Sequence, residues 1–245
     1  MTSEQELLSV RACGLRNPVA IIPIGFDPTG YGRSVSNSEV YRHWPVLQGK
    51  KIVLFLGRVT PVKRVDMLLR AWAALSAESD EWMLVIAGPD WRGYGARMQL
   101  LADSCGVFSR TVFTGSVEGD LKRGLLGLSD VFVLPSECEN FGITIAEALA
   151  SGCPVITTTN TPWRELDDER CGWWINLEFP ILKEQLAKAM RLTDEERLAM
   201  GSRGAELIRR RYSWPPLAQE MAAVYRWMMG AGGQPACVNI LENSR

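Results

Sequence analysis

The stretch ECENFGITIAEALASG (137–152) holds two carboxylates, Glu139 and Glu147, in an E-x7-E spacing with Phe141-Gly142 between them. Glycine lets another group approach the backbone closely. A helix opening at this point aims the free N–H groups of Gly142, Ile143 and Thr144 outward. Together with the helix dipole they make an anion site. Upstream, GRVTPVKR (57–64) carries Arg58, Lys63 and Arg64. If the two loops are neighbours, Arg58 and Lys63 supply the countercharge for a pyrophosphate; if not, they are solvated surface cations. Glu147 falls about one turn into a helix that is otherwise Ile, Thr and Ala on nearly every side. A carboxylate buried there needs a partner, because unpaired burial is costly. Ligand hydroxyls, Arg58 or Lys63 could each fill that role, and an exposed helix glutamate would need none. Glu139 precedes the helix, near a strand mouth.

The elements around these residues are legible as patterns. KIVLFLG (51–57), WMLVIAG (82–88), TVFTG (111–115), DVFVLPS (130–136) and PVITTT (154–159) read as buried parallel strands, apolar on both faces. VAIIPIG (19–25) is a further strand candidate. Helical patterns separate them at VDMLLRAWAAL (65–75), at ARMQLLADSCG (96–106) with Gly106 as C-cap, at DLKRGLLGLS (120–129) and at ITIAEALASG (143–152). This alternation predicts an α/β fold: a single Rossmann-like, doubly wound parallel sheet with helices on both faces. Ligands of such sheets bind outside the carboxyl ends of the strands, where the loops above lie. After residue 175 the strand pattern stops. LKEQLAKAMRL, DEERLAMGSRGAELIRRRY and PLAQEMAAVYRWMMG read as C-terminal helices, with Thr193 and Glu196 spaced for a capping box. From Ala231 the chain is Gly-rich and reads as a loose tail.

Composition narrows the function classes. The 245 residues are 47% apolar and 22% charged, with a formal net charge of -1, which is ordinary for a globular chain and offers no basic excess for nucleic acid. The six cysteines form no C-x-x-C pair, so reduced thiols and a cytoplasmic location are expected. The single histidine, His43, removes most zinc and Ser-His or Cys-His schemes. No apolar run reaches the length of a membrane helix, and the polar start MTSEQELLSV is no signal peptide.

The segments GRVTPVKRVDMLLRAW, IAGPDWRGY, FTGSVEGDLKRGLLGLSDVFVLPSECENFGITIAEALASGCPVITTT and TPWREL resemble the C-terminal domain of retaining glycosyltransferases of family 4, which have the GT-B fold. The likeness runs from about Asn17 to Gly230. It implies that Glu139 contacts the hydroxyls of the transferred sugar and that Glu147 hydrogen-bonds the nucleotide ribose. It implies that Arg58 and Lys63 bind the diphosphate and stabilise the departing charge, helped by backbone N–H groups of Phe141, Gly142, Ile143 and Thr144. The base would lie near Thr114 to Val117. The substrate implied is a nucleotide diphosphate sugar, with no prosthetic group. No Asp-x-Asp motif is present, which fits metal-independent departure of the leaving group.

The chain departs from the family pattern in places. The linker reads Pro23-Ile24-Gly25-Phe26-Asp27, with Ile24 where the family usually has Asn, and Arg64 stands where a Gly often follows the Lys. Residues 1–16 are expected to be a linker or remnant of a missing N-terminal domain, 17–230 the donor-binding domain and 231–245 a flexible tail. The absent half would hold the acceptor site. By resemblance, the full protein transfers a sugar to a carbohydrate or lipid-linked acceptor in polysaccharide or glycoconjugate biosynthesis, with peripheral membrane association open, and the isolated domain is expected to be inactive. One alternative is a stand-alone nucleotide-sugar-binding subunit that docks onto a separate acceptor domain. A sugar-nucleotide epimerase is a weaker one, because the motifs suggest no base near the sugar C2.

Overall fold

The computed structural model describes residues 1–33, 37–75 and 80–241. In chain order it contains α1 (Glu4–Ala12), β1 (Val19–Ala20), α2 (Ser38–His43), β2 (Lys51–Leu56), α3 (Val65–Ala74), β3 (Trp82–Ala87), α4 (Tyr94–Ser104), β4 (Thr111–Gly115) and α5 (Gly119–Leu128). Then come β5 (Val131–Leu134), α6 (Ile143–Ala150), β6 (Val155–Thr158), α7 (Glu165–Asp168), β7 (Gly172–Ile175), α8 (Phe179–Arg191), α9 (Asp194–Leu207), α10 (Trp214–Met228) and β8 (Val238–Asn239).

Six strands form one parallel sheet in the order β4-β3-β2-β5-β6-β7. The centre of the sheet is β2, paired with β3 from Lys51↔Trp82 to Leu56↔Ala87 and with β5 at Val53↔Val131. Ile52, Val53, Leu54 and Phe55 are fully buried, as expected of a strand covered on both faces by helices. Burying a side chain of this kind contributes roughly 1.5–3 kcal/mol, so the run IVLF alone accounts for a sizeable part of the sheet's stability. On the covering layer α9 approaches the end of α6 closely. A Cβ on Gly201 would sit 1.9 Å from the Gly152 carbonyl oxygen, so only glycine fits there.

The five expected strands are all present, and Gly106 does close α4, at φ 71°. Thr193 caps α9 with the reciprocal bonds of a capping box, Glu196 N to Thr193 Oγ1 at 3.2 Å and Thr193 N to Glu196 Oε2 at 2.8 Å. The expected helix after Thr193 does not run on unbroken: it changes to a π-helical turn over Ile208–Tyr212.

Three expectations need correction. A sixth strand, β7, lies beyond the last one expected. It is only four residues, GWWI, buried at Gly172 and half-buried after it, too short a run to announce a strand. The candidate VAIIPIG does not join the main sheet. Only Val19–Ala20 is extended, paired antiparallel with β8. Further along, backbone donors are taken one by one: Ile21 by Cys237 O, Ile22 by Met1 O and Phe26 by Tyr212 O. Pro23 also has no N–H to offer a ladder. The tail expected to be loose is therefore pinned at Val238–Asn239; its last residues, 242–245, lie outside the described residues.

Candidate functional site

The strand order reverses between β2 and β5. Successive strands run outward from β2 through β3 to β4, then resume at β5 and run the other way. At such a switch point the loops leaving two neighbouring strands diverge and open a crevice. Here the crevice is a cavity of about 700 Å³. It is lined by Arg58, Thr60 and Lys63 from the loop after β2, Trp91 from the loop after β3, Glu139 from the loop after β5, and Gly142–Thr144 at the start of α6. Of the residues singled out by sequence, Arg58, Lys63, Glu139, Gly142, Ile143 and Thr144 thus converge on one volume. Phe141, Glu147, Thr114 and Val117 do not line it.

The start of α6 is built as expected of an anion site. Gly142 occupies the N-cap at φ 77°, ψ 62°, a left-handed conformation that glycine adopts without strain. No side chain caps the helix, so its first N–H groups stay available. Phe141 serves a different purpose. It is buried, its ring packs 5.3 Å from Trp163 and 5.7 Å from Tyr212, and its carbonyl accepts Trp163 Nε1 at 2.5 Å. The aromatic cluster fixes the residue before the turn, and so fixes where α6 begins.

Charge at the mouth is arranged unevenly. Arg58 is exposed and makes no hydrogen bond or ion pair among the described residues. Lys63 is half-buried and donates to Glu139 Oε1, with Ser136 Oγ 3.5 Å away. Ser136 is fully buried and donates to Cys138 O at 2.9 Å, which shapes the loop between the strand end and Glu139. Thr60 Oγ1 is buried beside the cavity with no partner among the described residues.

Glu147 is buried, at 6% exposure, as its apolar helix suggested. Its partners are not the ones expected. Neither Arg58 nor Lys63 reaches it: Oε1 accepts Lys122 Nζ at 2.6 Å, from α5, and Tyr31 Oη at 2.9 Å, from the segment after β1. The β2 loop serves Glu139 instead, because Glu147 lies further along α6, on the side packed by α5. Glu147 Oε2 remains buried without a hydrogen bond among the described residues. Burial and the adjacent carboxylate both push the Tyr31 phenol pKa well up, so it stays a donor. Lys122 and Tyr31 are the residues that sequence reasoning missed. They lie 25 and 116 positions from Glu147, and only the folded packing of α5 and the Phe26–Arg33 segment brings them there.

The outer loops are less committed. Thr114, at the end of the edge strand β4, is half-buried and donates to Gly115 O at 2.9 Å. Val117 is buried in the core.

A six-stranded parallel sheet with an uncapped helix start and two cations at its switch point defines a Rossmann-like domain. Residues 39–206 match the family of glycosyl transferases group 1, and the chain belongs to that family. It is 28% identical over 223 residues to an uncharacterised glycosyltransferase of Methanocaldococcus jannaschii, covering 88% of this chain and 56% of that one. A GDP-mannose-dependent alpha-mannosyltransferase of Mycolicibacterium smegmatis is 30% identical, over 84% of this chain and 51% of its own. Among solved structures, the sucrose-phosphate synthase of Thermosynechococcus elongatus superposes with a TM-score of 0.79 at 22% identity, over 95% of this chain and 58% of that one. The fold is that of the C-terminal half of a GT-B glycosyltransferase. The chain spans about half the length of the curated relatives it matches. Among the described residues no helix is long and apolar enough to cross a membrane.

Proposed function

We propose that this chain is the donor-binding half of a retaining glycosyltransferase, and that its ligand is a nucleotide diphosphate sugar. The observation that carries the reading is the convergence of Arg58, Lys63, Glu139 and the open N-terminus of α6 on one cavity at the switch point. The diphosphate would lie against the N–H groups of Gly142–Thr144, with Arg58 and Lys63 as countercharge. When the sugar C1–O bond breaks, the nucleoside diphosphate leaves with the electron pair. Charge then grows on its terminal phosphate, where fixed donors stabilise it most. Glu139, at the mouth, would face the sugar hydroxyls. Glu147 would take a ribose hydroxyl on Oε2, the oxygen without a partner. Oε2 is covered in the free chain, so a neighbouring side chain must shift before a ribose hydroxyl reaches it. The acceptor oxygen would come from a second domain, so the 245-residue chain alone binds donor and transfers nothing. The full protein would serve polysaccharide or glycoconjugate assembly in the cytoplasm, without a catalytic metal.

The test is thermal unfolding of the chain with UDP, GDP, ADP and dTDP. A nucleotide at about 100 times its Kd adds roughly 2.7 kcal/mol, a rise of about 5 to 10 °C for a chain of this size. A rise selective for one base, lost in Arg58→Ala and reduced in Glu147→Gln, supports the reading and names the base. The Gln variant is preferred to Ala because it keeps the side-chain volume. No rise with any nucleotide at millimolar concentration overturns the reading.

A further inference from the structure

We propose that Arg64 is a positioning residue that straps the loop bearing Arg58 and Lys63 to the loop bearing Glu139, holding the cavity open and formed before any ligand enters. The backbone at Arg64 sits at φ 51°, ψ 40°, the left-handed region where a side chain other than Gly, Asn or Asp is uncommon. A non-glycine residue held there persists when its surroundings over-determine it. Those surroundings are visible. Nη1 donates to Glu137 Oε1 at 2.8 Å, while Nε and Nη2 reach the two oxygens of Asp66 at 3.2 and 3.4 Å. Glu137 stands two positions before Glu139, and Asp66 lies in the first turn of α3.

The strap does not act alone. Glu137 N donates to Val62 O at 2.8 Å, and Ser136 Oγ lies 3.3 Å from the same carbonyl. The Tyr94 phenol, at the start of α4 just past Trp91, lies near enough to Asp66 to feel its charge. Burial first, and then the Asp66 charge, raise the Tyr94 phenol pKa. The guanidinium thus connects two of the strand-end loops that surround the cavity, those after β2 and β5. Arg64 itself does not line that cavity, and each of its three guanidinium nitrogens already meets a carboxylate. The planar fork matters: a lysine ammonium cannot span Asp66 and Glu137 with the same fixed geometry. The gain is preorganisation, because loops already ordered lose less freedom when a ligand arrives.

The inference deepens the proposed function, but its main test does not depend on it. Amide hydrogen exchange of the whole chain is compared for wild type, Arg64→Gly, Glu137→Ala and the double variant. Glycine accepts the left-handed backbone, so Arg64→Gly removes the side chain without adding strain. Each single variant should speed exchange in both 58–63 and 137–142 by about ten-fold or more, with the amides of β2 and β3 unchanged. The double variant should be no faster than the singles, since one strap is cut twice. UDP or GDP, whichever wild type prefers, should bind several-fold more weakly to Arg64→Gly. Faster exchange confined to one loop, or spread evenly across the sheet, overturns the strap. Wild type that binds no nucleotide overturns the proposed function instead, and the exchange data still decide for or against Arg64.

Discussion

Glu139 and Glu147 lie on the same stretch of chain and each is paired with a lysine, yet the two regions are built to opposite ends. Glu139 stands at the cavity mouth with Lys63, on two loops, and both side chains keep some contact with solvent, 15% and 17% exposed. Glu147 is inside α6, with Lys122 on a neighbouring helix and Tyr31 closing the other side. In the first pair either charge can turn to a ligand and leave the other hydrated. In the second, Glu147 cannot lose its partner cheaply, and one of its oxygens is left over. The spacing of two glutamates therefore says little about their roles. Burial and partners say more: Glu139 sits at the cavity mouth with one lysine, while Glu147 is buried against a lysine and a tyrosine and keeps an unused acceptor.

The largest effect should come from breaking the buried pair. Lys122→Met leaves Glu147 with the Tyr31 hydroxyl alone. Removing one partner of a buried pair costs about 3–5 kcal/mol. Lys122 keeps 27% of its surface, so screening lowers the expectation to about 2–3 kcal/mol. Urea unfolding should show this as a lower midpoint with an unchanged slope. A loss below about 1 kcal/mol would place Glu147 in the same class as Glu139 and remove the contrast.

Next comes Arg58, a cavity cation that makes no hydrogen bond or ion pair among the described residues. Hydrogen bonds to charged groups are worth about 1.5–3 kcal/mol, so Arg58→Ala should weaken nucleoside diphosphate binding by roughly 10- to 100-fold. Its unfolding free energy should stay within about 0.5 kcal/mol of wild type, as for surface positions generally. Calorimetric titration and urea melts on the same sample separate the two. If stability falls and affinity does not, Arg58 belongs to the scaffold. Smaller again is Tyr31→Phe, which removes one hydrogen bond to a carboxylate and nothing of the ring. A loss of about 1.5 kcal/mol, the low end for a bond to a charged group, is expected in the same melts, because Lys122 still pairs Glu147. No loss at all would mean that Lys122 alone sets the position of Glu147.

These contrasts mark what could be read before the fold was known. The strands at 51–57, 82–88 and 130–136 were legible because burial on both faces leaves an uninterrupted apolar run. The switch-point residues Arg58, Lys63 and Glu139 followed, since each stands just past a strand. By contrast, β7 was hidden: Gly172 and two half-buried tryptophans carry no period. Lys122 was hidden for a deeper reason. In GDLKRGLLGLS it is one of two adjacent basic residues on a helix, and helical spacing does not say which of them meets a carboxylate on another element. Arg64 stood out by its type, in a place where glycine is common, but the left-handed backbone that explains the oddity exists only in three dimensions. Pairings local in sequence, such as the Thr193 capping box, were legible; those that depend on how helices pack were not.

Loss of the Glu139 charge should change least of all, and with an unusual sign. In the free chain Glu139 holds Lys63, so a diphosphate must compete with Glu139 for the same ammonium. Glu139→Gln removes the competing charge but keeps the side-chain shape. Stability should change by less than about 1 kcal/mol, since the pair is partly solvated. UDP or GDP, which lack a sugar for Glu139 to contact, should bind a few-fold more tightly, on the order of the 0.5–1 kcal/mol that a partly screened ion pair contributes. The buried carboxylate predicts the reverse: Glu147→Gln weakens the same nucleotides, because an ionised oxygen there is a stronger acceptor than an amide. Paired titrations of the two Gln variants, at one salt concentration, should therefore move in opposite directions. Movement in the same direction would mean that Glu139 and Glu147 act on the ligand alike, and that Lys63 is not shared.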